Sequence, residues 1–320
     1  MRPFEYVTAT SIETARQLLG ANGHYLAGGN DLLGRLKDDI TEAVRLVNIK
    51  GIGALRHIEP GPDRWQIGAL VTIAEIEDHA ELRKIFPGLQ QAAAEVGSQQ
   101  IRNVATLGGN LAQHSRCWYY RHRDIQCLKK RGRICYALEG DNRYHALFTG
   151  NVCISPVVSN LAIALTALDA TAVIWRDGQE RRLTMAELYE LAWDNPTAHH
   201  SLRPGDLLLR VEIPTKRPRS AYLQVSEKHS FDWALVSCAA AARLENGRIY
   251  DARVALGCIS PVPHQVAAAN QFLEGKPLER DVAEKAADLL LTGAEPHEHN
   301  AYKIPMARAL IRRTLLQLGT

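Results

Sequence analysis

The chain has almost no net charge. Its 38 basic and 35 acidic residues leave +3 over 320 residues, so nothing global calls for a nucleic-acid or membrane partner. The opening MRPFEYVTATSIETA has no apolar signal core. The most apolar stretch, Leu161 to Ile174, contains Asp169 and several threonines and is too short to span a bilayer. These absences read as a soluble, cytoplasmic protein. Neither G-x-G-x-x-G nor a Walker motif occurs, so spacing does not point to a nicotinamide or NTP site. There is no C-x2-C pair of the zinc-ribbon kind, no internal repeat and no low-complexity tract.

The 46% hydrophobic content suffices for two or three compact domains. Thr10–Glu13, Thr72–Glu75 and Thr184–Glu187 have the spacing of capping boxes. Turn signals at Pro60-Gly61-Pro62, Asp177-Gly178 and Asn246-Gly247 predict three hairpins, the first joining 55–58 to 65–67. Strands and helices alternate through the first two-thirds. Strands at 221–225, 234–243 and 249–256 then lead into helices near 263–274, 279–291 and 304–318. The fold class is α+β. The polar, Pro-containing TKRPRS at 215–220 marks a domain boundary.

Two Gly-Gly segments share a design: Ala27-Gly28-Gly29-Asn30-Asp31-Leu32 and Thr106-Leu107-Gly108-Gly109-Asn110. Paired glycines allow close backbone approach, and successive N–H groups can form a nest for phosphate oxygens. Two such segments would clamp a pyrophosphate from both sides. Ordinary turns are the plainer alternative.

Six cysteines are present, and four fall in one stretch: Cys117, Cys127, Cys135 and Cys153, spaced C-x9-C-x7-C-x17-C. In a reducing compartment clustered thiols favour metal over disulfides. Four thiolates suit either tetrahedral zinc or a [4Fe–4S] cluster. Cys238 and Cys258 lie in apolar surroundings and read as buried strand residues.

The string AGGNDLL at 27–33 followed by IRNVATLGGNL at 101–111 resembles the flavin-binding subunit of the molybdenum hydroxylases, the xanthine dehydrogenase and carbon monoxide dehydrogenase relatives. GDLLLRVEIP at 205–214 and LGCISPVPHQVAAANQFLEGKPL at 256–278 extend the resemblance over nearly the whole chain. It implies a two-part FAD-binding domain of the PCMH type over 1–215, with subdomains at about 1–55 and 56–215, and a smaller domain of β-sheet plus helices at 216–320. It also implies an FAD site: Ala27, Gly28, Gly29, Asn30, Asp31 and Leu32 at the pyrophosphate, completed by Thr106, Gly109 and Asn110. Leu208 would pack near the isoalloxazine, Lys228 would stand near the flavin, and Asn160 would lie at the ribityl chain. Two positions depart from the pattern: Asn160 stands where relatives often carry Asp, and Gln224 where many carry Lys.

In that family the GGN turn runs directly into the next helix. Here an insertion at about 113–155 intervenes, too long for an idle loop. Its SRCWYYR, spaced cysteines and NRYHALF resemble one branch, the β subunits of 4-hydroxybenzoyl-CoA reductases, which carry an extra [4Fe–4S] cluster. The resemblance makes Cys117, Cys127, Cys135 and Cys153 the cluster ligands. It further implies a large molybdopterin subunit and a small [2Fe–2S] subunit in a dimer of heterotrimers. From Arg116 to Arg143 the insertion has eight basic and three acidic residues, which would raise a cluster's potential or steer an acidic, ferredoxin-like carrier. Histidines 114, 122 and 145 lie near the cysteines as possible substitute ligands.

The expected function is therefore electron transfer through FAD and [4Fe–4S] in a 4-hydroxybenzoyl-CoA reductase. The alternatives are the flavin subunit of a molybdenum hydroxylase that oxidises another substrate, and a zinc-stabilised nucleic-acid-binding module.

Overall fold

The computed structural model describes residues 1–148, 152–191, 195–228 and 231–320. Eleven strands lie among these residues, in three sheets. The first sheet is parallel, with β3 (Arg45–Asn48) between β1 (Glu5–Thr8) and β2 (Gly23–Leu26). The second is antiparallel and carries β4 (Ile58–Pro60), β5 (Arg64–Gly68), β6 (Thr171–Arg176), β7 (Gln179–Thr184) and β8 (Leu207–Pro214), in the order β4-β5-β8-β6-β7. The third is a meander of β9 (Arg219–Ser226), β10 (Ala234–Glu245) and β11 (Arg248–Gly257). The class is α+β, as the element pattern predicts.

Local chemistry accounts for most boundaries. Thr72 and Thr184 form reciprocal capping boxes with Glu75 and Glu187. At the first helix the cap is Ser11, whose hydroxyl accepts from Thr14 N at 3.1 Å, rather than Thr10. The first hairpin begins at Ile58; Leu55 belongs to a 3-10 turn. The helix Asn160–Ala167 is buried all round, which fits its lack of any charged residue.

β10 is the pivot of the third sheet. Its small side chains alternate between two cores: Ala239 and Ala241 join that of the second sheet, while Cys238, Ala240 and Ala242 face the C-terminal helices. Cys238 and Cys258 are buried as expected. Among the described residues no helix is long and apolar enough to cross a membrane.

The TKRPRS segment does not hang free. Arg217 is 1% exposed; it pairs with Asp251 at 2.8 Å and Asp169 at 3.4 Å, and its Nε donates to the Asp251 carbonyl at 2.9 Å. It thus fastens the residue after the central helix to β11. Replacing Arg217 by Ala is expected to lower unfolding free energy in urea by about 2 kcal/mol, less than for a fully buried pair because both aspartates keep access to water. A change within about 0.5 kcal/mol, the scatter of ordinary surface substitutions, would show that the clamp does not hold.

Candidate functional site: a glycine-turn cleft beside a cysteine-lined pocket

β2 ends at Leu26, and the chain turns through Ala27–Asp31 into the helix Leu32–Lys37. Among the described residues, the N–H groups of Gly28, Gly29, Asn30, Asp31 and Leu32 meet no acceptor. Both glycines are obligatory: Gly29 has φ +80°, and a Cβ on Gly28 would come within 2.2 Å of the Val104 carbonyl oxygen. Lys50 reaches over the loop, its Nζ 3.4 Å from the Ala27 carbonyl. An open row of donors beside a lysine is the environment an anion needs.

The second Gly-Gly segment is different. It is not a loop but a short helix, Leu107–Leu111, capped by Thr106. Its N–H groups are already used: Leu107 on Val71, Gly108 on Ala69, Gly109 on the Thr106 hydroxyl at 3.1 Å, and Asn110 on Thr106. The expected two-sided N–H clamp is therefore one-sided. The glycines here supply a flat wall instead. Ala27, Thr106, Gly109 and Leu208 meet along one open cleft.

The other sequence-predicted residues are more spread. Asn110 is buried and accepts from the Ser159 hydroxyl at 2.5 Å. Asn160 donates to Gln224 at 3.1 Å, and Gln224 donates onward to Glu95 at 3.0 Å. The two positions that depart from the family pattern thus bond to each other, so a neutral pair occupies both sites. Lys228 lies on a second cleft of about 880 Å³, which it shares with Cys117, Trp118 and Trp233.

Asp31 points away from the loop and into the insertion. Its carboxylate lies 2.6 Å from Arg121 Nη2, 3.0 Å from Arg116 Nη2 and 3.0 Å from Arg35 Nε, and accepts from His114 N at 3.2 Å. Burial pushes its pKa up, but the three guanidiniums outweigh burial and hold it below the usual carboxylate range. Three cations against one anion leave positive charge behind the open loop, which suits a pyrophosphate.

All four clustered cysteines line one small, tightly packed pocket. Cys117 and Cys135 stand at the starts of one-turn helices, Trp118–Arg121 and Tyr136–Glu139. Backbone N–H groups aim at the sulfurs: Tyr119 and Tyr120 at Cys117, Ala137, Leu138 and Ile154 at Cys135, and Ser155 at Cys153. Burial pushes the Cys117 thiol up to about 11. Cys135 is lowered by a hydrogen bond from Cys153, whose own thiol is raised in turn. Among the described residues no three Cys, His, Asp or Glu side chains converge on a single-ion position; the thiols surround the pocket.

The cleft and this pocket share a wall that the sequence did not reveal. His114 and His200 face the cleft. The His114 ring stacks on His199 at 3.9 Å, and its Nδ1 accepts from the Tyr120 hydroxyl at 2.7 Å and Arg35 Nη1 at 3.1 Å. Tyr120 lines the thiol pocket. Lys129, also on that pocket, donates to the Ala198 carbonyl at 2.6 Å. Burial lowers the pKa of His114 and His199 well below the ordinary value, so both are neutral at pH 7. No spacing rule links residues 198–200 to the cysteines; their one sequence signal is the His-His pair itself.

The insertion's positive charge is mostly spent internally. Arg116 and Arg121 are tied to Asp31, Lys129 to backbone carbonyls, and Arg143 to Asp141. Arg131 and Arg133 remain exposed. This leaves little for a nucleic-acid-binding stripe.

Replacing Asp31 by Asn strands three guanidiniums. The expected cost is on the order of 3 kcal/mol in urea unfolding, together with reduced FAD content. Because the folded pKa is depressed, the stabilisation is complete above the unfolded carboxylate's titration near pH ~4 and is lost as pH falls through the lower folded value. The Asn variant should lack that part of the acid-induced loss. Unchanged stability and acid response would remove Asp31 from its anchoring role.

Comparison with known proteins agrees with this geometry. The family described as "FAD binding domain in molybdopterin dehydrogenase" matches residues 2–216, and that described as "CO dehydrogenase flavoprotein C-terminal domain" matches 220–318. The Escherichia coli K12 aldehyde oxidoreductase FAD-binding subunit PaoB is 30% identical, over 99% of this chain and 98% of its own. The nicotinate dehydrogenase FAD-subunit of Eubacterium barkeri is 24% identical, over 91% and 86%. Among solved structures, quinoline 2-oxidoreductase from Pseudomonas putida 86 superposes with a TM-score of 0.77 at 25% identity, over 99% and 97%. Carbon monoxide dehydrogenase from Oligotropha carboxidovorans shares the fold, with a TM-score of 0.78 at 21% identity, over 99% and 98%. The chain belongs to the FAD-binding medium subunits of the molybdenum hydroxylase and carbon monoxide dehydrogenase family.

Proposed function

We propose that this chain is an electron-transfer subunit holding FAD and a [4Fe–4S] cluster within a heteromeric molybdenum enzyme. The observation that carries the reading is the wall shared by the cleft and the thiol pocket. Residues 27–32, Thr106, Gly109, Asn110 and Leu208 would hold FAD in the 1–215 domain; the family resemblance puts Asn160 and Lys228 at its ring end, although Lys228 lines the second cleft. FAD supplies the junction between two-electron and one-electron chemistry. Cys117, Cys127, Cys135 and Cys153 would each hold one iron. Thiols placed around a pocket, with N–H donors on the sulfurs, fit a cluster whose four irons are separately ligated; one zinc ion would need all four to converge. Substrate chemistry would occur on a large molybdopterin subunit, linked through a small [2Fe–2S] subunit in a dimer of heterotrimers.

Two observations favour different directions of electron flow. Likeness to PaoB over nearly the whole chain supports an oxidising enzyme that sends electrons outward. The sequence of the insertion supports the 4-hydroxybenzoyl-CoA reductase branch, with electrons running inward to an aromatic thioester. Assay of the purified complex with aldehydes and an acceptor, against 4-hydroxybenzoyl-CoA and a strong reductant, separates them.

Either direction needs an external carrier. Beside Cys135, Ile134, Tyr136 and Leu138 are 53%, 39% and 47% exposed, next to Arg131 and Arg133. An apolar centre with a basic rim suits an acidic, ferredoxin-like protein.

The full chain purified without air is expected to hold about four irons, as a [4Fe–4S] cluster requires, with flavin bands and a broad iron–sulfur shoulder. Cys127→Ser should lose the shoulder and keep FAD. An iron-free wild-type chain sinks the cluster, and a flavin-free one sinks the whole reading. Arg131→Glu combined with Arg133→Glu should slow carrier-dependent turnover about tenfold at low salt, with the difference shrinking as salt rises. Equal rates at low salt would place the carrier elsewhere.

A further inference from the structure

We propose that His145 is the dedicated hydrogen-bond donor to the Cys117 sulfur, and that through this contact it sets the reduction potential of the centre held by the four thiolates. The inference rests on the cluster reading above and adds a positioning residue outside the ligand set.

His145 Nε2 lies 3.1 Å from Cys117 Sγ, within hydrogen-bond reach of sulfur. The ring is 2% exposed and held between Trp118, edge-on at 5.9 Å, and Tyr119 at 6.2 Å. Nδ1 has no partner among the described residues. The nearest carbonyl, that of Asn142, already accepts from the His145 backbone N–H at 2.8 Å, and we take the tautomer that leaves Nδ1 bare. A buried N–H without an acceptor is rarer and costlier than a bare ring nitrogen. The single proton therefore sits on Nε2, aimed at the sulfur.

A donor on Nε2 requires an acceptor sulfur. A thiolate accepts; a thiol would compete with its own S–H. Cys117 offers that acceptor when it holds iron, because a metal-bound thiolate needs no proton.

The backbone of His145 is braced from far along the chain. Its carbonyl accepts from Lys303 Nζ at 3.1 Å and Asn300 Nδ2 at 3.3 Å, and its N–H donates to the Asn142 carbonyl at 2.8 Å. Asn142 accepts from His299 N at 2.9 Å. Lys303 and Asn300 are both fully buried at the start of the last helix. A buried lysine and asparagine that bridge the His145 carbonyl to those of Cys258 and Ala146 hold the ring position. Hydrogen bonds to cluster sulfurs stabilise the reduced, more negative state and raise the potential; removing this one lowers it.

The test is a redox titration of the full chain, reconstituted with iron and sulfide, followed by EPR. His145→Phe keeps the ring and removes the donor. His145→Gln places an amide N–H near the old Nε2 position, and His145→Asn places it near Nδ1. The expected result is a lower potential for Phe and Asn, near recovery for Gln, and iron content equal to wild type. An unchanged potential in a fully loaded Phe variant overturns the proposal. If the Phe variant fails to hold iron, wild-type protein labelled with 15N-histidine decides by ENDOR. Weak nitrogen coupling with a deuterium-exchangeable proton at the cluster supports a hydrogen bond. Strong coupling makes His145 a ligand, and no coupling removes it from the site; both overturn the proposal. A wild-type chain that takes up no cluster fails the underlying reading, and the inference with it.

Discussion

One carboxylate joins the two halves of the site. Asp31 ends the loop whose N–H groups meet no acceptor among the described residues, yet its oxygens lie against Arg116 and Arg121 of the cysteine segment. Arg35, one turn along the next helix, completes the cluster. The insertion could otherwise pack in many ways against the first sheet. A mostly buried anion with three cations admits one, because any other placement would leave charge unpaired out of water. The same residue that closes the Ala27–Asp31 loop therefore fixes where Cys117 and Tyr120 stand.

That arrangement brings the cysteine pocket against the cleft. Tyr120 touches His114, which faces the cleft, and lies on the thiol pocket itself. Lys129 reaches across to the segment that carries His199 and His200. A cluster in the pocket would be separated from FAD by this packed wall of aromatic and imidazole rings. From the opposite side, Lys303 and Asn300 brace His145 against Cys117. The pocket is thus held by parts of the chain from all three sheets' neighbourhoods, although its cysteines are contiguous in sequence.

Much of this was legible beforehand, because some residue types admit few uses. The capping boxes at Thr72 and Thr184 and the Asn246-Gly247 turn impose their structures locally. Gly28 and Gly29 mark a constrained turn for the same reason. What failed did so where tertiary contacts decide. Gly108 and Gly109 read as a second nest, but the neighbouring carbonyls of Ala69 and Val71 draw that segment into a helix and take up its donors. Arg116, Arg121 and Lys129 read as surface charge, because a sequence does not show that Asp31 and the Ala198 carbonyl lie within reach. The 198–200 wall was invisible for a related reason: residues brought together across the fold leave no spacing signature.

The central claim is that this subunit adds a four-iron centre beside FAD to the wiring of a molybdenum hydroxylase. Mössbauer spectroscopy of the complex, grown on 57Fe and purified without air, tests it most directly because it separates cluster types. The account predicts a [4Fe–4S] signal alongside that of any [2Fe–2S] centres, and its loss when Cys127 is replaced by serine. A spectrum with [2Fe–2S] signals alone, and zinc found with this chain, would contradict it.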